Sequence, residues 1–284
     1  MKKCVFFLLA VVLTACSYYE EDEVVNNETD EAVVTLLVFS PYDMSAMKAP
    51  SRRAAVPVSS VVSHLDVWVT DGTTWQDFHQ TSSDEGFGTL KVTLKKSVQY
   101  TIYALGHNSS EAAVRTGTVL SFTDGKVRDC MFFSRQLEVE ESVSIGCKTQ
   151  RIVGRFAIES TDHMPADVDH VKFTIHDTSL TYNLDGTLGT LVDRDVLYQS
   201  PSAAQNGTVS FAFYIMSTTD AATDFDITFT AYDDQDDVLV TRTFEDVPIK
   251  NGYKTHYRGE LFTNAAATTT FTVDEWSEFD VVDF

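Results

Sequence analysis

Apolar residues in this chain recur at every second position or in short solid runs, and almost nowhere at helical spacing. Val, Thr, Phe and Tyr dominate the runs, and Gly, Asn or Asp ends most of them, the mark of short strands closed by turns. A first series falls at 33–39, 61–69, 90–94, 100–105, 118–122, 131–133 and 137–145. A second falls at 152–159, 171–176, 209–215, 225–231, 238–244, 257–262 and 271–276. Only 109–115 and 165–170 have room for a turn or two of helix. About seven strands close one β-sandwich, so the pattern predicts an all-β chain with two consecutive cores meeting near Lys148-Thr149. Two polar segments, 41–57 and 200–207, interrupt the series, and 233–237 reads as an acidic hairpin tip.

The 284 residues include 42 Asp+Glu against 21 Lys+Arg, a formal charge of −21. That balance excludes nucleic acid as a partner, because phosphate binding needs clustered cations. Met1-Lys2-Lys3 precedes an apolar stretch at 5–13, well short of the roughly 20 residues that span a bilayer. Residues 1–15 therefore read as a secretory signal. Leu13-Thr14-Ala15-Cys16 resembles the bacterial lipobox, which implies lipid on Cys16 and attachment to an outer membrane. Residues 16–30 read as an acidic tether, and Glu20-Glu21-Asp22-Glu23 resembles the surface-export signal of Bacteroidetes lipoproteins. Cys130 and Cys147 are left; in an oxidising compartment they either form a disulfide or lie buried as free thiols.

Chemistry-bearing motifs are scarce. No G-x-S-x-G elbow, phosphate loop or dinucleotide fingerprint occurs, so the chain reads as a non-enzyme with no catalytic residue and no cofactor. His163, His170 and His176 lack the spacing of a zinc helix. The 233–237 cluster lacks the glycine and closing Glu of a calcium loop, and no metal is assigned. Trp68, Trp75 and Trp276, with eleven tyrosines, could furnish the aromatic surface of a glycan-binding module, although Trp68 falls in strand pattern and reads as core.

Several short segments taken together carry a family likeness. They include Leu65-Asp66-Val67-Trp68-Val69, Phe87-Gly88-Thr89-Leu90 and Tyr100-Thr101-Ile102-Tyr103-Ala104-Leu105. Arg151-Ile152-Val153-Gly154-Arg155-Phe156, Val247-Pro248-Ile249-Lys250-Asn251, His256-Tyr257-Arg258-Gly259-Glu260 and Asp274-Glu275-Trp276 continue it. With the lipobox and acidic tether, they resemble the fimbrillin superfamily of Bacteroidales, in particular its lipidated fimbrial anchor subunits.

The resemblance implies two transthyretin-like, Greek-key sandwiches, at 31–148 and 149–284, joined to other fimbrial subunits by strand exchange. Its displaceable first strand would be the one carrying Val33, Thr35, Leu37 and Phe39, and its protease site Arg52 or Arg53. Its donor strand would carry Phe271, Val273, Trp276, Phe279, Val281 and Phe284. An anchor keeps the first strand and only donates, whereas a stalk subunit loses that strand after cleavage. The expected role is thus a structural, surface-exposed fimbrial lipoprotein that anchors the fibre; the alternatives are a surface glycan-binding lipoprotein and a cleavable stalk subunit.

Overall fold

The structure, a computed structural model, describes residues 30–40, 56–199, 207–218, 221–263 and 270–275, with backbone alone at 56–57 and 270–275. It is built of strands. In the first half, β1 (Glu31–Ser40) runs antiparallel to β5 (Thr89–Lys95) and parallel to β10 (Val143–Lys148), and its end meets the two-residue β2 (Val56–Pro57). Facing it is an antiparallel sheet in the order β4 (Trp75–Thr81), β3 (His64–Thr70), β6 (Val98–His107), β9 (Cys130–Val139), with β11 (Gln150–Arg151) on the far edge. Val34, Leu36, Val92 and Leu94 from one sheet meet Leu65, Val67, Ile102 and Met131 from the other in a dry core.

The second half repeats this plan. Its first strand, β12 (Val153–Ser160), lies between antiparallel β16 (Ser210–Met216) and parallel β19 (Tyr253–Gly259). The facing sheet runs β15 (Leu191–Gln199), β13 (His170–Ser179), β17 (Thr223–Tyr232), β18 (Val238–Ile249). Phe173 sits at the centre of this core, its ring 5.3–5.4 Å from Phe211, Phe213 and Phe229. In the second half a further strand, β20 (Thr270–Glu275), pairs with the outer edge of β19. Among the described residues β10 has no corresponding neighbour.

A fifth sheet crosses between the halves. β7 (Val114–Thr116) and β8 (Val119–Ser121) belong to the first, and β14 (Thr181–Asn183) of the second pairs with β8. Beneath it Trp68, Leu105 and Phe132 pack with Ile152, Tyr182 and Met216. Strand alternation explains why a single sheet can serve two cores: odd and even residues of β3 and β6 point to opposite faces. Leu65 and Val67 enter the first core, while Asp66 and Trp68 enter the shared one.

The structure corrects several element readings. Segment 131–133 and the start of segment 137–145 are one strand, β9, because its middle residues Ser134, Arg135 and Gln136 are exposed without breaking the ladder, while the end of 137–145 belongs to a separate strand, β10. Neither 109–115 nor 165–170 is helical; the one helical turn among the described residues is the 3₁₀ turn Val58–Ser60. β4 and β15 were absent from the expected series. Both are edge strands with polar residues on both faces, so they lack the alternation that marks half-buried strands. The acidic segment 233–237 is the β17–β18 hairpin turn, with Asp233 Oδ1 accepting the backbone N–H of Gln235 and Asp237.

Candidate functional site

β1 alternates strictly. Ala32, Val34, Leu36 and Val38 are buried, and the intervening Val33, Thr35, Leu37 and Phe39 are exposed or half-buried. The residues expected to mark a displaceable first strand are therefore on its outward parity, and the opposite set fills the core. Burying a Val or Leu side chain stabilises by about 1.5–3 kcal/mol. With ladders along both edges, β1 is tightly seated. Thr149 closes its end, donating both its N–H and its hydroxyl to the Phe39 carbonyl.

The opposite terminus is held differently. Asp162 accepts the backbone N–H groups of Leu261, Phe262 and Thr263 at 2.7–2.8 Å, and Leu261 and Phe262 are buried in the second core. The chain is thus pinned immediately before the segment that leads to β20. β20 itself pairs antiparallel with β19, Phe271 opposite Tyr257 and Val273 opposite Thr255. The pairing places this strand at a sheet edge. Trp276, Phe279, Val281 and Phe284 lie outside the described residues, as do Cys16, Arg52 and Arg53.

Cys130 and Cys147 are both free and fully buried, so the possible disulfide is not formed. They occupy separate cores: Cys130 begins β9 against the shared cluster, and Cys147 lies on β10 in the first-half core. Burial, reinforced by the neighbouring Asp129 carboxylate, pushes the Cys130 thiol well up. Burial pushes Cys147 up to about 11. Neither is a reactive thiolate.

The densest polar cluster is one that motif reading missed. Asp66, 3 % exposed, accepts from His79 Nδ1 and His107 Nε2 at 2.7 Å each and from the Ala113 N–H at 2.8 Å. His64 stacks against both imidazoles, with ring centroids 5.3 Å apart in each case. Ser109 closes the chain on His107 Nδ1. Ser109, His107 and Asp66 have the composition of a hydrolase triad, but all three are buried and the Ser109 hydroxyl also donates to the Glu111 carbonyl. The group ties β3, β4 and β6 together rather than presenting a nucleophile. Its signal was available: a carboxylate at Asp66 and a histidine at His107, each among the apolar residues of a strand.

The expected histidine trio is dispersed. His170 stacks on Tyr232 at 4.8 Å, His176 bonds Thr228 and Asp193, and His163 is exposed. Among the described residues no three His, Cys, Asp or Glu side chains converge to hold a metal, and no helix is long and apolar enough to cross a membrane. Trp68 is buried, and Trp75 is half-buried beneath the Arg115 guanidinium, 3.9 Å from its ring centroid.

Among curated proteins none matches this sequence. Solved structures share the fold, among them the following three. The fimbrial anchor protein Mfa2 from Porphyromonas gingivalis is 13% identical, with a TM-score of 0.50 over 87% of this chain and 98% of that one. A candidate adhesin from Bacteroides ovatus is 11% identical, TM-score 0.55, over 87% and 94%. A candidate adhesin from Bacteroides thetaiotaomicron is 11% identical, TM-score 0.54, over 87% and 96%. Identities this low speak for the fold alone, and that fold is the all-β sandwich architecture expected from the sequence. At the level of sequence the match is to a family of unknown function, DUF6562, over residues 108–281, and the chain belongs to that family.

Proposed function

We propose that this chain is a structural subunit of a cell-surface fimbrium, held on the outer membrane by lipid at Cys16, that joins the fibre by giving its C-terminal strand to a neighbouring subunit. Two sandwich domains, 31–148 and 149–284, would form the post. The observation that carries this reading is the contrast between the two terminal strands. β1 is flanked by β5 and β10 and buries Val34, Leu36 and Val38, whereas β20 adds to the outer edge of β19 and lies beyond the Asp162 clamp. A chain that keeps its first strand has no empty groove to offer, but a strand at a sheet edge can complete another sheet through backbone hydrogen bonds.

A cleavable stalk subunit is the second reading. It is favoured by the position of Arg52 and Arg53 between β1 and β2, where a cut would make β1 a separate peptide. The mature protein extracted from membranes separates the two. Lipidated Cys16 at the N-terminus of an intact chain supports the anchor; a start at Arg53 or Ala54 supports the stalk subunit. Deleting 270–284 should leave the thermal midpoint within a few degrees of the parent and abolish co-purification with fimbrial subunits. Undiminished co-purification would overturn the strand-donor role.

A further inference from the structure

Along the face of the β4-β3-β6-β9 sheet that looks away from the first core, three rings stand side by side. Tyr103 on β6 has its ring centroid 6.1 Å from Trp75 at an interplanar angle of 25°, and 6.2 Å from Phe132 at 26°. Two of the rings are covered: Trp75 by Arg115, and Phe132, 8 % exposed, by the edge of Tyr182. Half-buried Tyr103, with the remaining exposed part of Phe132, lines an open cleft of about 470 Å³. Thr101, Ser134 and Gln136 flank it on the sheet, and Asp185 with Gly186 closes the far side from the turn after β14. Thr101 pairs with Gln136 and Tyr103 with Ser134, so these four share one sheet face. Arg135 also borders the cleft but has the opposite parity, paired with the core residue Ile102. Asp185 Oδ1 takes the Thr187 N–H and hydroxyl.

The geometry points to a binding site for a neutral pyranoside, a single sugar residue of a glycan, in this cleft between the two halves. The volume lies within the range of small-molecule sites, and junctions between folded units are where such sites concentrate. An aromatic face suits the C–H-rich face of a pyranose ring. Ser and Thr hydroxyls donate and accept, a Gln amide does both, and a carboxylate accepts, which is the set that matches ring hydroxyls. The chain's charge of −21 works against an anionic ligand. This inference goes beyond the assembly role and does not rest on it.

The test is saturation-transfer NMR on the full chain with the methyl pyranosides of glucose, galactose and mannose, and with methyl glucuronide as the anionic control. At least one neutral pyranoside should give saturable transfer, with the glucuronide giving less. Gln136→Ala and Asp185→Asn, both at exposed positions, should each weaken binding about three- to tenfold with an unchanged thermal midpoint, and Tyr103→Ala should abolish it. Absence of transfer from every neutral pyranoside overturns the site. So does transfer that persists undiminished in both exposed-residue variants, or preferential binding of the glucuronide.

Discussion

Asp66 is a single carboxylate serving three donors, two of them imidazoles, on a strand whose alternate residues are aliphatic. Removing the acceptor from a buried hydrogen bond typically costs about 1–3 kcal/mol because the donor is left unsatisfied; in Asp66→Ala the fully buried His107 would be that donor. The third imidazole, His64, behaves differently. Burial holds its pKa below the usual histidine value, and His107 and His79 depress it further against a smaller opposing pull from Asp66. A base with a depressed folded-state pKa binds fewer protons folded than unfolded, so its contribution to stability falls as pH drops below about 6.5 and is unchanged above it. As pH falls below about 6.5, the thermal midpoint of His64→Gln should therefore fall less steeply than that of the parent; an identical pH profile in the variant would refute the assignment. Little of this cluster was legible beforehand. His64, Asp66, His79 and His107 are spread over 44 positions of sequence and converge only through strand pairing.

At the scale of elements, parity decides what a substitution does. Leu36 is buried between β5 and β10, while its neighbour Leu37 is half-buried on the other face. Leu36→Ala should cost about 2–5 kcal/mol and Leu37→Ala about 1 kcal/mol or less, read from denaturant midpoints. Equal effects would mean that β1 is registered the other way round. The strands legible in the sequence were those with one buried face, such as β1, β6, β12 and β17. Edge strands β4 and β15 were not, because neither face needs to be apolar. The joining of 131–133 with the start of 137–145 into β9 was hidden by Ser134, Arg135 and Gln136, three consecutive exposed residues on alternating faces, which an intact ladder tolerates and a sequence pattern reads as a break.

Over the whole molecule, two consecutive series of strands were anticipated, but the sheet that crosses between them was not. Leu120 pairs with Tyr182, a contact across 62 positions with no local signal. That sheet covers Ile152, Val153 and Met216 from the second half with Trp68, Leu105 and Phe132 from the first. Expressed alone, 149–284 should consequently expose a large apolar surface, bind a hydrophobic dye and melt at least several degrees below the intact chain. An isolated half as stable as the whole would show that the shared cluster contributes nothing.

The seating of β1 also governs how the protein answers a pull. Traction on the chain ahead of Glu31 draws this strand lengthwise, so the ladders to β5 and β10 are sheared together instead of being peeled open one bond at a time. Rupture then requires many hydrogen bonds and the lodged Val34, Leu36 and Val38 side chains to yield at once, which makes the first of the described strands a mechanical clamp under tension.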